Sequence, residues 1–196
     1  MAFAVGDRAV RPLTADEVMA MAAAGIIGDE ERVELLHGVL TKMSANHPPH
    51  AGITLRLGRW LAPLSADARY DVRVQLPLVV PDPTSLPEPD LAVVERGGEV
   101  ERHPATALLV IEVAQTSLKV DTTIKPPLFA AAGVSEMWVV DVEHKRLEVC
   151  TEPGPEGYAR QATLEPPGRV HPEGVAIEPL DLAGLFAGLE GTAARL

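Results

Sequence analysis

The stretch Ala107-Leu108-Leu109-Val110-Ile111-Glu112-Val113-Ala114 decides the fold. It is a continuous apolar run, the pattern of a central strand buried on both faces. Glu112 alone interrupts it. A bare carboxylate in such surroundings costs several kcal/mol when unpaired. Glu112 is therefore expected to meet a cation, a metal or a proton. Two further charged residues bracket the strand. Asp90 ends the turn-like run Pro87-Glu88-Pro89-Asp90 and leads into Leu91-Ala92-Val93-Val94; Lys125 follows Asp121. Two carboxylates and a lysine converging on a strand edge supply hard oxygen ligands and a fixed cation, the layout of an Mg²⁺-dependent phosphodiesterase.

Outward from this strand, periodicity predicts the other elements. Thr14-Ala15-Asp16-Glu17 reads as a capping box that opens a helix to about Ala24. Arg32 to Met43 reads as two short strands around His37-Gly38. Ser44 to His50, with Pro48-Pro49, reads as a loop, and a helix runs from about His50 to Leu61 with Ile53, Leu57, Trp60 and Leu61 on one face. Strands are expected over Tyr70–Leu78, Asp90–Glu95, Ala107–Ala114, Glu136–Val142 and Arg146–Thr151, with a helix ending at Gly133 before the fourth. The Gly- and Pro-rich segment Pro153–Pro179 suggests a loose hairpin containing Tyr158, and Asp181–Leu189 a closing helix. The fold class is α/β, an α+β mixed sheet flanked by helices. One domain is expected over residues 1–196: an N-terminal helix and hairpin (12–44), a core (45–152), and a C-terminal hairpin and helix (153–196).

Bulk properties exclude several classes. A chain of 196 residues is large enough to bury roughly 70% of its unfolded surface. A net charge of −11 argues against a broad basic nucleic-acid surface and leaves room only for a local cationic patch. The most basic stretch, Arg56, Arg59, Arg69 and Arg73, reads as a solvated face or as a phosphate contact. The single cysteine, Cys150, permits no internal disulfide, which suits a reducing cytoplasm. No apolar stretch reaches membrane-spanning length, so no membrane partner is expected. There is no Walker loop, dinucleotide fingerprint or nucleophile elbow.

Taken in order, the segments resemble the Uma2 family of bacterial restriction-endonuclease-like proteins, within the PD-(D/E)XK nuclease superfamily. The resemblance rests on Val33–Leu40, Met43–His50, Arg73–Pro77, Pro87–Val94, Ile111–Leu118 with Asp121 and Lys125, and Ala131–Asp141, over about residues 12 to 185. It implies a restriction-endonuclease-like core and a metal-dependent endonuclease acting on DNA. Asp90 and Glu112 would bind Mg²⁺ or Mn²⁺, with the carbonyl of Val113 as a further ligand. Lys125 would orient or activate the attacking water and stabilise charge on the phosphate. Glu34 is implied as an outer carboxylate, and His50 and Gln75 as contacts to water or phosphate.

The chain departs from that pattern at three places. The position two after Glu112, usually lysine in the superfamily, is Ala114; Pro126-Pro127 follow Lys125, so a helix either starts at Pro126 or kinks there; Thr122 and Phe129 stand where Arg and Tyr are common. Bland alternatives stand beside each role. Asp90 is a turn aspartate, Glu112 and Lys125 a structural pair, Asp121 a helix N-cap in preference to a ligand, and Glu34 an exposed hairpin charge. His47 and His50 are three apart, but no cysteine or third histidine nearby completes a zinc set. The second functional expectation is an inactive nuclease-fold binding or assembly module, a homodimer in one form.

Overall fold

The structure is a computed structural model that describes residues 4–5, 8–28, 30–43, 47–97 and 102–189. Ser44 to Asn46, part of the loop expected before the second helix, and both ends of the expected 1–196 domain lie outside the described residues. The elements in chain order are β1 (Ala4–Val5), β2 (Arg8–Ala9), α1 (Ala15–Ala23), β3 (Val33–Leu36), β4 (Val39–Lys42), α2 (Pro48–Leu61), a 3-10 turn (Ala62–Ala66), β5 (Tyr70–Val74), β6 (Leu91–Glu95), β7 (Leu109–Ala114), α3 (Leu118–Thr123), α4 (Lys125–Ala131), β8 (Glu136–Asp141), β9 (Arg146–Gly154), β10 (Gly157–Leu164), β11 (Arg169–Val170), β12 (Leu180–Asp181) and α5 (Leu182–Phe186).

The fold is the expected mixed α/β arrangement. Its centre is a six-stranded sheet in the order β10-β9-β8-β7-β6-β5. All neighbours are antiparallel except β7 and β8. Parallel neighbours need a crossover, and α3 and α4 supply it. Strand alternation splits the core into two layers. Leu109, Ile111 and Val113 of β7 face Ile53, Leu57 and Leu61 of α2 together with Leu182, Leu185 and Phe186 of α5. Val110 and Ala114 face Leu128, Phe129 and Ala130 of α4. Trp138 is fully buried in the first layer and stacks on Trp60 with 5.6 Å between ring centroids.

Local chemistry explains several boundaries. Thr14 and Glu17 form the capping box, each side chain bonding the other's backbone N–H at 3.2 and 2.9 Å. The β3–β4 turn places His37 and Gly38 at φ +49° and +82°, the left-handed geometry of tight hairpins. A Cβ on Gly38 would lie 2.1 Å from Pro12 Cβ, so glycine is required twice over. Helix α2 starts at Pro48, earlier than expected, because proline suits a first helical turn whose N–H groups lack partners anyway. The predicted strand Tyr70–Leu78 stops at Val74, since Gln75 turns the chain at φ +49°. The expected loose C-terminal hairpin is instead a long regular one, β9–β10, and Tyr158 donates its hydroxyl to Val134 O at 2.9 Å. The closing helix is only Leu182–Phe186, with Asp181 as its cap.

Candidate active site

The antiparallel register of β6 and β7 ends with Leu91 opposite Ile111. One step further on, Asp90 and Glu112 stand opposite each other. Alternation sends both to the sheet face shared with α4, because Ala92 and Val94 lie on that face and so do Val110 and Ala114. Both carboxylates are buried, at 6% and 2% exposure. They line one cavity of about 200 Å³ together with Arg32, Glu34, His50, Asp121 and Lys125.

Asp90 does not bond its own backbone as a turn aspartate would. Its Oδ2 accepts from Val113 N–H at 2.8 Å and meets His50 Nε2 at 3.2 Å, and its Oδ1 accepts from Gln75 Nε2 at 3.3 Å. Burial alone would raise its pKa. The hydrogen bonds from His50, Val113 and Gln75 outweigh that and hold the carboxyl below its ordinary value. His50 is itself fixed by α2, where its backbone N–H donates to Gln115 Oε1 at 3.2 Å. A carboxylate only accepts, so the His50 Nε2 facing Asp90 carries the hydrogen.

Glu112 meets the other cation. Lys125 Nζ lies 3.0 Å from Glu112 Oε1, 3.1 Å from Glu34 Oε2 and 3.3 Å from Asp121 Oδ1, and is only 3% exposed. Helix α3 stops at Thr123 and α4 begins at Lys125, so Pro126 and Pro127 fill the first turn of a new helix where missing N–H groups cost little. This break at Ile124 turns Lys125 inward toward the sheet. Burial would lower its pKa, but the three carboxylates override it and keep the ammonium firmly charged. Glu112 is pushed well above the usual carboxylate range, chiefly by burial. Lys125 opposes that shift; Asp121, Asp90 and Glu34 reinforce it. Asp121 is raised for the same leading reason. The half-buried Glu88 is also raised, by burial first.

Asp121 is not the expected helix N-cap. It sits inside α3, where Ser117 is the cap residue and donates its hydroxyl to Asp121 Oδ2 at 2.5 Å. Its Oδ1 is buried, in ion-pair contact with Lys125 but without a hydrogen bond. Glu34 is not an exposed hairpin charge either, at 8% exposure with Lys125 as partner. Sequence reasoning thus named the three carboxylates in contact with the lysine but not the nearby Glu88. It missed Arg32, Gln115 and Ser117, which line the cavity with no local sequence signal to mark them. The arginine-rich stretch is largely committed to structure: Arg56 donates to the carbonyls of Leu185 and Ala187, and Arg69 pairs with Asp67. His47 lines the cavity without a side-chain capping bond. Among the described residues no three His, Cys, Asp or Glu side chains are already gathered as a metal cluster. None of the described helices is long and apolar enough to cross a membrane.

No curated protein matches the chain. Among solved structures, one described as a putative nuclease belonging to DUF820 from Anabaena variabilis is similar in fold, with TM-score 0.71 and 18% identity. The match covers 89% of this chain and 98% of that one. Residues 15–183 match the Uma2 family, described as putative restriction endonuclease, and the chain belongs to that family.

Proposed function

We propose that the protein is a divalent-metal-dependent nuclease that hydrolyses DNA phosphodiester bonds. One observation carries the proposal. Two chain-distant carboxylates, Asp90 and Glu112, are buried side by side at the end of the β6–β7 pairing, in a cavity that also holds a buried lysine. The donor set suits Mg²⁺ or Mn²⁺, since every candidate ligand is a hard oxygen. Asp90, Glu112 and the carbonyl of Val113 would hold the ion. The N–H and C=O of a strand residue point to the same side, and the Val113 N–H already reaches Asp90. A cation held among these carboxylates would favour the ionised forms of Glu112 and Asp121, which burial alone disfavours. When bound, the ion supplies Lewis-acid polarisation of a phosphoryl oxygen.

The chain's own residues divide the remaining work. Lys125 stays protonated, so it acts as a fixed hydrogen-bond donor and positive charge toward a phosphoryl oxygen or a water, and not as a general base. Glu34 and Asp121 orient its ammonium. His50 and Gln75 hold the Asp90 carboxylate in place.

The test is calorimetric titration of Mn²⁺ into the wild-type protein and a Glu112→Ala variant, followed by incubation with duplex and single-stranded DNA. Mn²⁺ binding that disappears in the variant, with cleavage that needs the ion, is the expected result. A wild-type protein that binds no Mn²⁺, either alone or with DNA, refutes the proposal. It would favour the second reading, a non-catalytic module in which Lys125 and its three carboxylates serve only the fold. Ala114, at the position usually held by the superfamily's lysine, supports that reading.

A further inference from the structure

The acidic cavity has a basic rim. Alternation along β3 puts Arg32, Glu34 and Leu36 on one side of the strand, and all three line the cavity. Glu34 is the inner residue, in contact with Lys125. Arg32 lies two residues outward, roughly 6.8 Å along an extended strand, a stride comparable to the separation of successive phosphates in an extended nucleic-acid chain. Met43 is the residue beside Arg32 across the hairpin; Lys42 pairs with Val33, so its side chain starts from the other face, and it borders the same cavity.

These two cations are uncommitted. The half-buried Arg32 carries five N–H donors, yet among the described residues its guanidinium meets only the Met43 sulfur, at 3.8 Å. Lys42 is exposed and makes no ion pair among the described residues. Other arginines, such as Arg56, Arg69, Arg96, Arg146 and Arg160, are tied to carboxylates or carbonyls. In a chain of net charge −11, leaving an arginine and a lysine free at the mouth of a carboxylate-rich cavity is the opposite of what local neutralisation would produce.

We propose that Arg32 and Lys42, at the open end of the β3–β4 hairpin, form an anion subsite that seats a DNA backbone phosphate next to the one cleaved. The proposal rests on the nuclease reading and adds to it where the DNA strand lies. A guanidinium grips phosphate bidentately, while the lysine adds a flexible point charge. Together they offset the repulsion a polyanion meets from Glu34, Asp90, Glu112 and Asp121. The contact is to the backbone, so it carries no sequence preference.

The experiment is fluorescence anisotropy of labelled 20-mer DNA, duplex and single-stranded, in Ca²⁺ and separately in EDTA. Wild type is compared with Arg32→Gln, Lys42→Gln and the double variant across a salt series. The subsite neutralises one phosphate, so the double variant should lower the slope of log K against log salt by about one, most of it already lost in Arg32→Gln. Weakening should be equal for unrelated sequences. Arg32→Lys should recover most of the lost slope. A double variant that melts like wild type and binds with an unchanged slope overturns the subsite and leaves the nuclease reading intact. A wild-type protein that binds DNA in neither buffer overturns both. A weakening that depends on base sequence overturns the backbone assignment.

Discussion

Lys125→Met is the perturbation whose consequence the structure specifies most fully. The ammonium is 3% exposed and faces three carboxylates at 3.0, 3.1 and 3.3 Å. Removing one partner of a buried ion pair costs about 3–5 kcal/mol, because it strands the opposite charge. Three stranded carboxylates would exceed this, but Glu112 and Asp121 already lean toward their protonated forms. Proton uptake therefore limits the loss to about that same 3–5 kcal/mol. For a chain of this size each kcal/mol lowers the melting temperature by roughly 2–4 °C, so the variant should melt roughly 6–20 °C below wild type. The sign of the pH dependence follows from linkage. Without Lys125 the folded-state pKa values of Glu112 and Asp121 rise further above their unfolded values. Between those values the folded state binds more protons, so stability falls as pH rises. The deficit should thus be larger at about pH 8 than at about pH 5. Circular-dichroism melts at the two pH values test this. A shift under about 2 °C, or one that is equal at both pH values, refutes the view that the lysine holds this cluster together.

Three further outcomes are expected. Glu112→Gln removes a carboxylate whose pKa is raised and leaves Lys125 with Glu34 and Asp121, so its stability should match or exceed wild type at about pH 8 while Mn²⁺ binding and cleavage are lost; a stability loss above about 3 kcal/mol, the cost of breaking a buried pair, would mark Glu112 as structural. Asp90→Asn weakens three hydrogen bonds to an ionised acceptor and should cost about 1.5–3 kcal/mol near neutral pH. Because the Asp90 pKa is lowered, that stabilisation is present above its unfolded value and lost as pH falls through the folded one, so urea midpoints of variant and wild type should converge in acid. Gly38→Ala places a methyl 2.1 Å from Pro12 Cβ at φ +82°, and chemical denaturation should show a loss of about 2–4 kcal/mol, well beyond an ordinary surface change; a loss under about 0.5 kcal/mol would show that the hairpin turn yields freely.

Much of the site was legible because strand alternation is local. Glu112 in an apolar run signals a buried carboxylate needing a partner, and the turn before Leu91 marks Asp90 as entering the neighbouring strand. The prolines after Lys125 signal a helix break, and the structure places the start at Lys125 itself. The functional expectation was carried by the order of several weak motifs, each of which alone has a bland explanation.

Other features were not legible, for one physical reason. Glu34 reads as an exposed hairpin charge until the hairpin docks against Lys125. Asp121 reads as a cap because its distance from Lys125 depends on where the helix breaks. His50 is 40 residues from Asp90 in sequence, and nothing in either segment specifies their 3.2 Å contact. By itself the sequence determined the central strands, the first two helices and the β3–β4 turn, and that Glu112 sits in apolar surroundings, since these follow from periodicity and backbone preference within a few residues. The tertiary structure decided which charges share a cavity and which remain free at its rim, because that depends on register and docking between segments that no local pattern encodes.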